Sequence, residues 1–247
     1  MTPLIYGELV RFYHLLDPLE DHEDEALSYG DLLRTAVPTA RTLLELGSGA
    51  GHGAHFVKSR FESVTLTDLS EPMLERSRAL NPDCEHILGD MRTLELGRVF
   101  DCVLCHDAVA YMTTQADLQA VFRTAWEHLR PGGAALFVPD CLKETFVDSH
   151  EDHAGDDGPL GLRAISWSYD PDPSDSTHVY DFAFLLREGG EVRAVHDRHV
   201  CGLFTEDTWV RGAQQVGFSV EVVSRPLPPG YEDSGYTEKM FLLHRPE

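Results

Sequence analysis

Three short apolar stretches in the first half of the chain are each followed closely by an acidic residue or a glycine. The first contains Glu45 and runs into a glycine-rich turn, the second ends at Asp68, and the third is followed by Gly89 and Asp90. Short apolar runs that stop at turn residues are typical of buried parallel strands. Because the carboxyl ends of parallel strands meet at one edge of a sheet, the pattern predicts a ligand site at that edge.

Helical segments alternate with these strands between residues 40 and 140. Ser70 and Pro72 open one of the helices, as an N-cap residue and a first-turn proline. The alternation predicts an α/β fold with a doubly wound, mostly parallel Rossmann-like sheet and helices on both faces. The expected strands are 42–46, 64–67, 86–88, 101–105 and 134–138, and the expected helices are 53–61, 71–80 and 116–129.

The remaining segments complete a single domain over 1–247. Residues 148–176 are rich in Asp, Gly, Pro, Ser and His, which predicts a mobile loop or lid. Two alternating runs, 179–186 and 192–203, predict an antiparallel β-hairpin inserted after strand five. The expected parts are a helical cap (1–36), a cofactor-binding core (40–140), a loop and hairpin insertion (141–204) and the end of the core (205–247).

The charge balance limits the partners of the protein. The chain carries 42 acidic against 20 basic residues, a formal net charge of -22. Such a surface repels nucleic acid and anionic lipid, so we expect neither as a partner. The sequence has no secretory leader pattern and no apolar run of ~20 residues, which favours a cytoplasmic location. No motif fixes the oligomeric state, and a homodimer is one option.

Cysteine and histidine pairs suggest metal binding at first sight. Cys102 and Cys105 form a C-x-x-C, but residues three apart on a strand point to opposite faces. The pairs His196-x-x-His199 and His150-x-x-His153 have no convincing third ligand on regular structure. We therefore expect no metal.

The glycine turn fits several classes of nucleotide site. A P-loop is excluded because no Gly-Lys-Ser or Gly-Lys-Thr follows the glycines. Residues 49–54 match the looser dinucleotide pattern G-x-G-x-x-A, in which Asp68 would hold a ribose. However, Glu45 would repel a pyrophosphate, whereas it suits a ligand with an ammonium and a sulfonium group. Asp68 and Asp90 would then suit ribose hydroxyls and an adenine amino group.

These motifs, in this order, resemble those of the class I S-adenosylmethionine-dependent methyltransferases. The matching elements are Glu45-Leu-Gly-Ser-Gly-Ala-Gly51, Asp68, Gly89-Asp90-Met91, Phe100-Asp101 and Leu129-Arg-Pro-Gly-Gly133. The segment from Phe12 to Asp17 is similar to the N-terminal helix that closes over the cofactor in small-molecule members. The inserted hairpin resembles bacterial amino-sugar N,N-dimethyltransferases more loosely.

The resemblance implies a role for each matched position. Gly47, Gly49 and Gly51 would let the backbone approach the methionine part of the cofactor. Further cofactor contacts are implied for Tyr13, Glu45, Asp68, Leu69, Asp90, Met91, Cys105 and His106. The acceptor pocket and any catalytic group are expected at His106, Tyr111 and His199.

The expected reaction is in-line SN2 transfer of the methyl group from S-adenosylmethionine to a small-molecule acceptor. An amine acceptor, giving N-methylation, stands slightly ahead of a hydroxyl, which would need a positioned base such as His. The alternatives are an NAD(P)-dependent oxidoreductase and a non-catalytic module that only binds the cofactor.

Overall fold

The computed structural model describes residues 3–225 and 238–247. Its strands are β1 (Thr42–Leu46), β2 (Ser63–Asp68), β3 (Glu85–Leu88), β4 (Phe100–His106), β5 (Leu129–Val138), β6 (Ser149–Asp157), β7 (Leu160–Tyr169), β8 (Thr177–Glu188), β9 (Glu191–Gly202), β10 (Ser219–Arg225) and β11 (Glu238–His244). Its α-helices are α1 (Tyr13–Leu16), α2 (Glu23–Ala36), α3 (His52–Val57), α4 (Glu71–Leu80), α5 (Gln115–His128) and α6 (Glu206–Val216).

Seven strands form the central sheet, here named sheet A, in the order β10-β11-β5-β4-β1-β2-β3. Strands β1 to β5 pair in parallel, whereas β11 is antiparallel to both of its neighbours. The predicted doubly wound sheet is confirmed. Strands β1 and β4 are neighbours, and the chain leaves β1 toward β2 on one side but leaves β4 toward β5 on the other. This reversal of strand order opens a crevice at the carboxyl ends of β1 and β4.

Helices cover both faces of sheet A with separate hydrophobic cores. On one face, Tyr29 and Leu33 of α2 pack against buried side chains of β1 and β4. On the other, Phe122 of α5 and Trp209 of α6 pack against β5 and β11. The Ser70 hydroxyl accepts a hydrogen bond from the Met73 amide at the start of α4, so the predicted cap is confirmed.

The prediction of a mobile loop or lid at 148–176 is wrong. Residues of β6 and β7 fill most of it, and together with the predicted hairpin, β8 and β9, they form an antiparallel four-stranded sheet B in the order β6-β7-β8-β9. Strand β6 is almost entirely polar and exposed. Its backbone pairing with β7, rather than apolar burial, accounts for its strand conformation.

The cap is only partly helical. Besides α1 and α2, it consists of short 3-10 turns at Leu4–Tyr6, Val10–Phe12 and Leu19–His22. Its apolar side chains form a third core with the inner face of sheet B. The cap therefore joins sheet B to sheet A. No helix within 3–225 or 238–247 has the length and apolar character needed to cross a bilayer.

Candidate active site

The glycine turn after β1 has a backbone shape that demands glycine. Gly47 and Gly51 adopt φ values of +75° and +76°. A Cβ atom on Gly47 would lie 2.3 Å from the Cβ of Ala108, and one on Gly51 would lie 2.3 Å from the Ser77 hydroxyl. The turn is thus clamped between α4 and the segment that follows β4. Gly49, with φ +55°, has more room, since its Cβ would meet only the Met73 methyl at 3.4 Å.

Glu45 carries a buried carboxylate just before this turn. The residue is 6% exposed, and its Oε2 atom has no hydrogen-bond partner among the described residues. Burial raises the pKa of Glu45 to about 7; Asp68 adds to the rise, while His106 opposes it. A buried carboxylate of this kind is stabilised by a cationic ligand. The site therefore fits a ligand with a positive group beside the turn.

Asp68, at the end of β2, ties the turn to α4. Its two carboxylate oxygens accept hydrogen bonds from the amides of Gly49, at 2.8 Å, and Ser70, at 2.7 Å. Burial raises its pKa, although these amides act in the opposite direction. The next side chain, Leu69, is 62% exposed at the same edge of the sheet. Asp68 and Leu69 thus lie side by side at the carboxyl edge of sheet A, beside the glycine turn.

Asp90 and Met91 follow β3 at this edge, and Asp90 has a protein partner. The Arg92 guanidinium binds its carboxylate at 2.6 Å and also reaches Asp117 at 3.1 Å. The hydrogen bonds from Arg92 lower the pKa of Asp90. The Sδ atom of Met91 lies 3.9 Å from the Sγ of Cys105 on β4. Asp90 is therefore held as an ion in a fixed position.

His106 ends β4 and lies among carboxylates. Its Nε2 atom is 2.8 Å from the Oδ1 of Asp107 and 3.9 Å from an oxygen of Glu25. Burial disfavours its charge, but Asp107 outweighs this effect and raises the pKa of His106 to about 9. The imidazole is consequently protonated near neutral pH and is a poor base in that state.

Asp107 has an unusual backbone and a carboxyl neighbour. It adopts φ +49° and ψ -53°, and it is the only non-glycine residue with positive φ in the part of the chain that the structure describes. Such strain clusters at functional sites. Asp140 follows β5 beside it, and burial together with Asp107 raises the pKa of Asp140 well above its usual range. Burial also works against the charge of Asp107, but His106 lowers its pKa. Proximity to Asp107 thus favours the neutral form of Asp140.

A chain of hydrogen bonds joins the cap, sheet A and sheet B. The Tyr111 hydroxyl lies 2.9 Å from the Tyr6 hydroxyl and 2.8 Å from the Nδ1 of His199. On its other side, His199 lies 3.3 Å from Asp197, whose carboxylate also accepts the Ile5 amide at 3.1 Å. His199 and Asp197 are both buried. The imidazole is therefore oriented from both of its nitrogens.

Tyr13 belongs to a second polar group, over the glycine turn. Its hydroxyl donates a 2.5 Å hydrogen bond to Asp17, which lies 2.9 Å from His22 and 3.5 Å from His52. Burial disfavours the charge of His22, but hydrogen bonds to Asp17 and Glu25 raise its pKa to about 10. The Tyr13 ring lies 5.4 Å from the His52 ring. Tyr13 is thus fixed beside the start of α3.

The cofactor-site residues predicted from the sequence lie at the carboxyl edge of sheet A, except Tyr13, which lies in the cap beside the start of α3. His199 reaches this edge through Tyr111. Sequence reasoning missed six polar residues of the same region, namely Tyr6, Asp17, His22, His52, Asp140 and Asp197. One signal was available, because residues two apart on a strand share a face and Asp197 precedes His199 by two. The others meet only through tertiary packing.

Known proteins with similar sequences include methyltransferases that act on amino sugars. Residues 43–133 match the family described as methyltransferase domain. A dTDP-3-amino-3,4,6-trideoxy-alpha-D-glucopyranose N,N-dimethyltransferase from Streptomyces venezuelae is 32% identical over 206 residues, which cover 82% of this chain and 85% of the relative. A dTDP-4-amino-2,3,4,6-tetradeoxy-D-glucose N,N-dimethyltransferase from Saccharopolyspora spinosa is 30% identical over 203 residues, which cover 81% of this chain and 80% of the relative.

A solved structure has the same architecture. The crystal structure of DesVI from Streptomyces venezuelae superposes with a TM-score of 0.82 at 26% sequence identity. The match covers 98% of this chain and 98% of that one. The likeness therefore includes the cap and sheet B as well as the central sheet.

Proposed function

The chain belongs to the class I S-adenosylmethionine-dependent methyltransferases, and we propose that it methylates the amine nitrogen of an amino sugar. It is an enzyme with S-adenosylmethionine as its cofactor, so the nicotinamide alternative is set aside. The observation that carries the proposal is the buried Oε2 atom of Glu45 beside the glycine turn, which has no hydrogen-bond partner within the described parts of the chain. A ligand with both an ammonium and a sulfonium group would supply the missing positive charge.

The residues at the edge of sheet A would bind and orient the two reactants. When bound, S-adenosylmethionine supplies a methyl group on a positively charged sulfur. Gly47, Gly49 and Gly51 shape the backbone along the methionine part, and Asp68 would accept the ribose hydroxyls. Tyr13 and Tyr6 would cover the site and exclude water. Alignment of the nitrogen lone pair with the sulfur–carbon bond is then the main contribution of the protein.

The charge state of His106 favours an amine over a hydroxyl acceptor. A hydroxyl needs a base in the transition state, and His106, with a pKa of about 9, is already protonated. An amine needs only to lose its proton beforehand, to solvent or to an ionised carboxylate. Asp107 is such a carboxylate and lies at the same edge. We propose it as the group that attracts the protonated amine.

O-methylation is the second candidate, because one imidazole is built like a base. His199 contacts Asp197 through one nitrogen and the Tyr111 hydroxyl through the other, so as a base it would act on an acceptor through Tyr111. For N-methylation we assign His199 and Tyr111 a positioning role in the acceptor pocket. Loss of His199 would then change the acceptor KM more than kcat, whereas loss of a base would lower kcat.

The test is a screen for release of S-adenosylhomocysteine. Amino sugars, free or linked to dTDP, are compared with matched sugars that have a hydroxyl at the same carbon. The masses of the products are measured by mass spectrometry. We expect turnover of an amino sugar, with Asp68→Ala weakening cofactor binding. Turnover confined to hydroxyl sugars, with kcat lost in His199→Ala, would establish the second candidate instead. Cofactor binding without any turnover would favour a non-catalytic module.

We also propose a homodimer formed through the outer face of sheet B. Ile165, Trp167 and Leu185 are 60%, 64% and 49% exposed on this face. Contiguous exposed apolar side chains mark interfaces, and the exposed Asp152 of β6 lies beside Ile165 at the edge of this apolar group. Light scattering after size exclusion should give a dimer, and Trp167→Glu should give a folded monomer. A monomeric wild type would refute the proposal.

A cytoplasmic location is likewise our proposal. All five cysteines are free, which suits a reducing compartment: Cys84, Cys102, Cys105, Cys141 and Cys201. With a net charge of -22, the surface disfavours nucleic acid and anionic membranes as partners. Cell fractionation with cofactor-dependent activity as the marker tests the location.

A further inference from the structure

We propose that Asp17, His22 and His52 form a binding site for a divalent transition metal ion, Zn²⁺ by the chemistry of its ligands. Asp17 follows α1, His22 ends the last 3-10 turn of the cap, and His52 begins α3 directly after the glycine turn. Each offers one ligand atom, and these atoms all lie within 4.8 Å of one another. The ion would fasten the cap to the glycine turn.

The distances between the ligand atoms suit one ion. The Oδ1 of Asp17 is 2.9 Å from the Nε2 of His22, and its Oδ2 is 3.5 Å from the Nδ1 of His52. Ligand atoms at ~2.0–2.2 Å from zinc stand ~3.0–3.5 Å apart when the angle at the ion lies between a right angle and the tetrahedral value. The two distances start from different oxygens of Asp17, so the carboxylate would either bind the ion through both oxygens or rotate to bring one of them to it.

His52 supplies a second, independent indication. The residue is 8% exposed, and its Nδ1 has no hydrogen-bond partner among the described residues. That nitrogen faces the Asp17 carboxylate at a distance too long for a normal hydrogen bond. A buried ring nitrogen without a partner is unfavourable in a folded protein, and a bound metal ion would satisfy it.

The outer contacts of these residues have the pattern of a metal site. The Nδ1 of His22 lies 3.0 Å from the Glu25 carboxylate, which leaves Nε2 directed at Asp17. Carboxylates orient metal-bound imidazoles in this way in many proteins. Tyr13 holds the second oxygen of Asp17 through its hydroxyl. The three side chains are thus positioned before any ion binds, and the ion would displace the proton that His22 shares with Asp17.

The donor set indicates which ions would bind. Two imidazoles and one carboxylate suit Zn²⁺ and its neighbours in the first transition row, whereas Mg²⁺ and Ca²⁺ prefer oxygen ligands. Three protein ligands leave at least one position for water. The ligands stand 5 and 30 residues apart along the chain and form no spacing motif, so the sequence argued against a metal.

The test uses Co²⁺ as a coloured probe on the full chain after treatment with a chelator, followed by competition with Zn²⁺. We expect one equivalent of Co²⁺ to bind, to be displaced by Zn²⁺, and to raise the melting temperature. His52→Gln should weaken binding at least tenfold. His55→Gln is the matched control, because His55 lies on the same helix and its Nδ1 also lacks a partner.

Several results would overturn the proposal. One is the absence of Co²⁺ and Zn²⁺ binding to wild type, which would mean that Asp17, His22 and His52 interact only as ion pairs. A second is equal binding by wild type and His52→Gln. A third is a thiolate-to-cobalt charge-transfer band, since it would place the ion at cysteines. Should His52→Gln fail to fold by circular dichroism, Asp17→Asn replaces it with the same expected loss.

Discussion

Replacing Glu45 with glutamine should stabilise the cofactor-free enzyme at alkaline pH. Burial raises the pKa of Glu45 from the ordinary 4.5 to about 7. One pKa unit corresponds to ~1.4 kcal/mol, so the ionised carboxylate lowers the free energy of unfolding by ~3 kcal/mol. Glutamine keeps the shape of the side chain and removes the charge. Its buried amide must find its own partners at a cost of ~1 kcal/mol, which leaves a net gain of ~2 kcal/mol.

The gain should depend on pH in a defined direction. A carboxyl group with a raised pKa binds its proton more tightly in the folded state, so wild-type stability falls as pH rises from 4.5 through 7. At pH 5 the penalty is only ~1 kcal/mol, and above pH 7 it levels off near ~3 kcal/mol. The advantage of Glu45→Gln over wild type should therefore grow by ~2 kcal/mol between pH 5 and pH 8.

Urea unfolding followed by tryptophan fluorescence measures this difference at both pH values. Glu62→Gln is the matched control, because Glu62 is exposed and pairs only loosely with Arg41 at 3.6 Å. Its effect should stay within ~0.5 kcal/mol at either pH. An advantage of Glu45→Gln that is the same at pH 5 and pH 8 would refute the reasoning, because the charge of Glu45 would then cost nothing.

The same variant should bind S-adenosylmethionine less well. A hydrogen bond between a carboxylate and an ammonium group contributes ~1.5–3 kcal/mol, so the Kd at pH 8 should rise ~10–100-fold. Isothermal titration calorimetry provides the measurement. A variant that is more stable and yet binds the cofactor as tightly as wild type would show that Glu45 does not meet its positive groups.

Three further predictions follow from local geometry. Gly47→Ala should lower the free energy of unfolding, measured in urea, by ~2–4 kcal/mol. Gly97→Ala has a similar φ but open space around its Cβ, so it should lower this free energy by only ~1 kcal/mol. Equal losses would contradict a steric role for Ala108. Tyr111→Phe removes the hydroxyl that bridges cap and insertion, so the acceptor kcat/KM should fall ~10-fold while calorimetry shows an unchanged cofactor Kd. Ser70→Ala removes a helix cap and should lower stability by ~1 kcal/mol in the same unfolding assay.

The placement of the residues assigned to the cofactor was predictable because it is local in sequence. Glu45 and Asp68 lie at the ends of β1 and β2, and Asp90 comes two residues after β3, so the strand positions alone bring them to one edge of the sheet. The positive φ at Gly51 is likewise a property of one turn. Two details escaped prediction. The Arg92 guanidinium binds the Asp90 carboxylate, and the ring of His52 lies near Asp17 of the cap.

The insertion was harder to predict because its outer strand lacks an apolar face. Strand β6 reads Ser-His-Glu-Asp-His-Ala-Gly-Asp-Asp and is almost wholly exposed, so no alternation marks it as a strand. In β7 the alternation is hidden, since Ile165 and Trp167 are exposed as well as apolar. Strand β7 is fixed by its pairing with β8, and β6 in turn by its pairing with β7.

This difference between the two halves has a physical basis. A cofactor common to a whole family can be bound by strand ends and turns, whose geometry each βα unit determines by itself. The proposed acceptor side, by contrast, is assembled across layers: Tyr6 comes from the cap, Tyr111 follows β4, and His199 comes from sheet B. These contacts depend on how the cap and sheet B pack, which no single segment of the sequence determines. Under this proposal, changes in sheet B would alter the acceptor while the cofactor site stays intact.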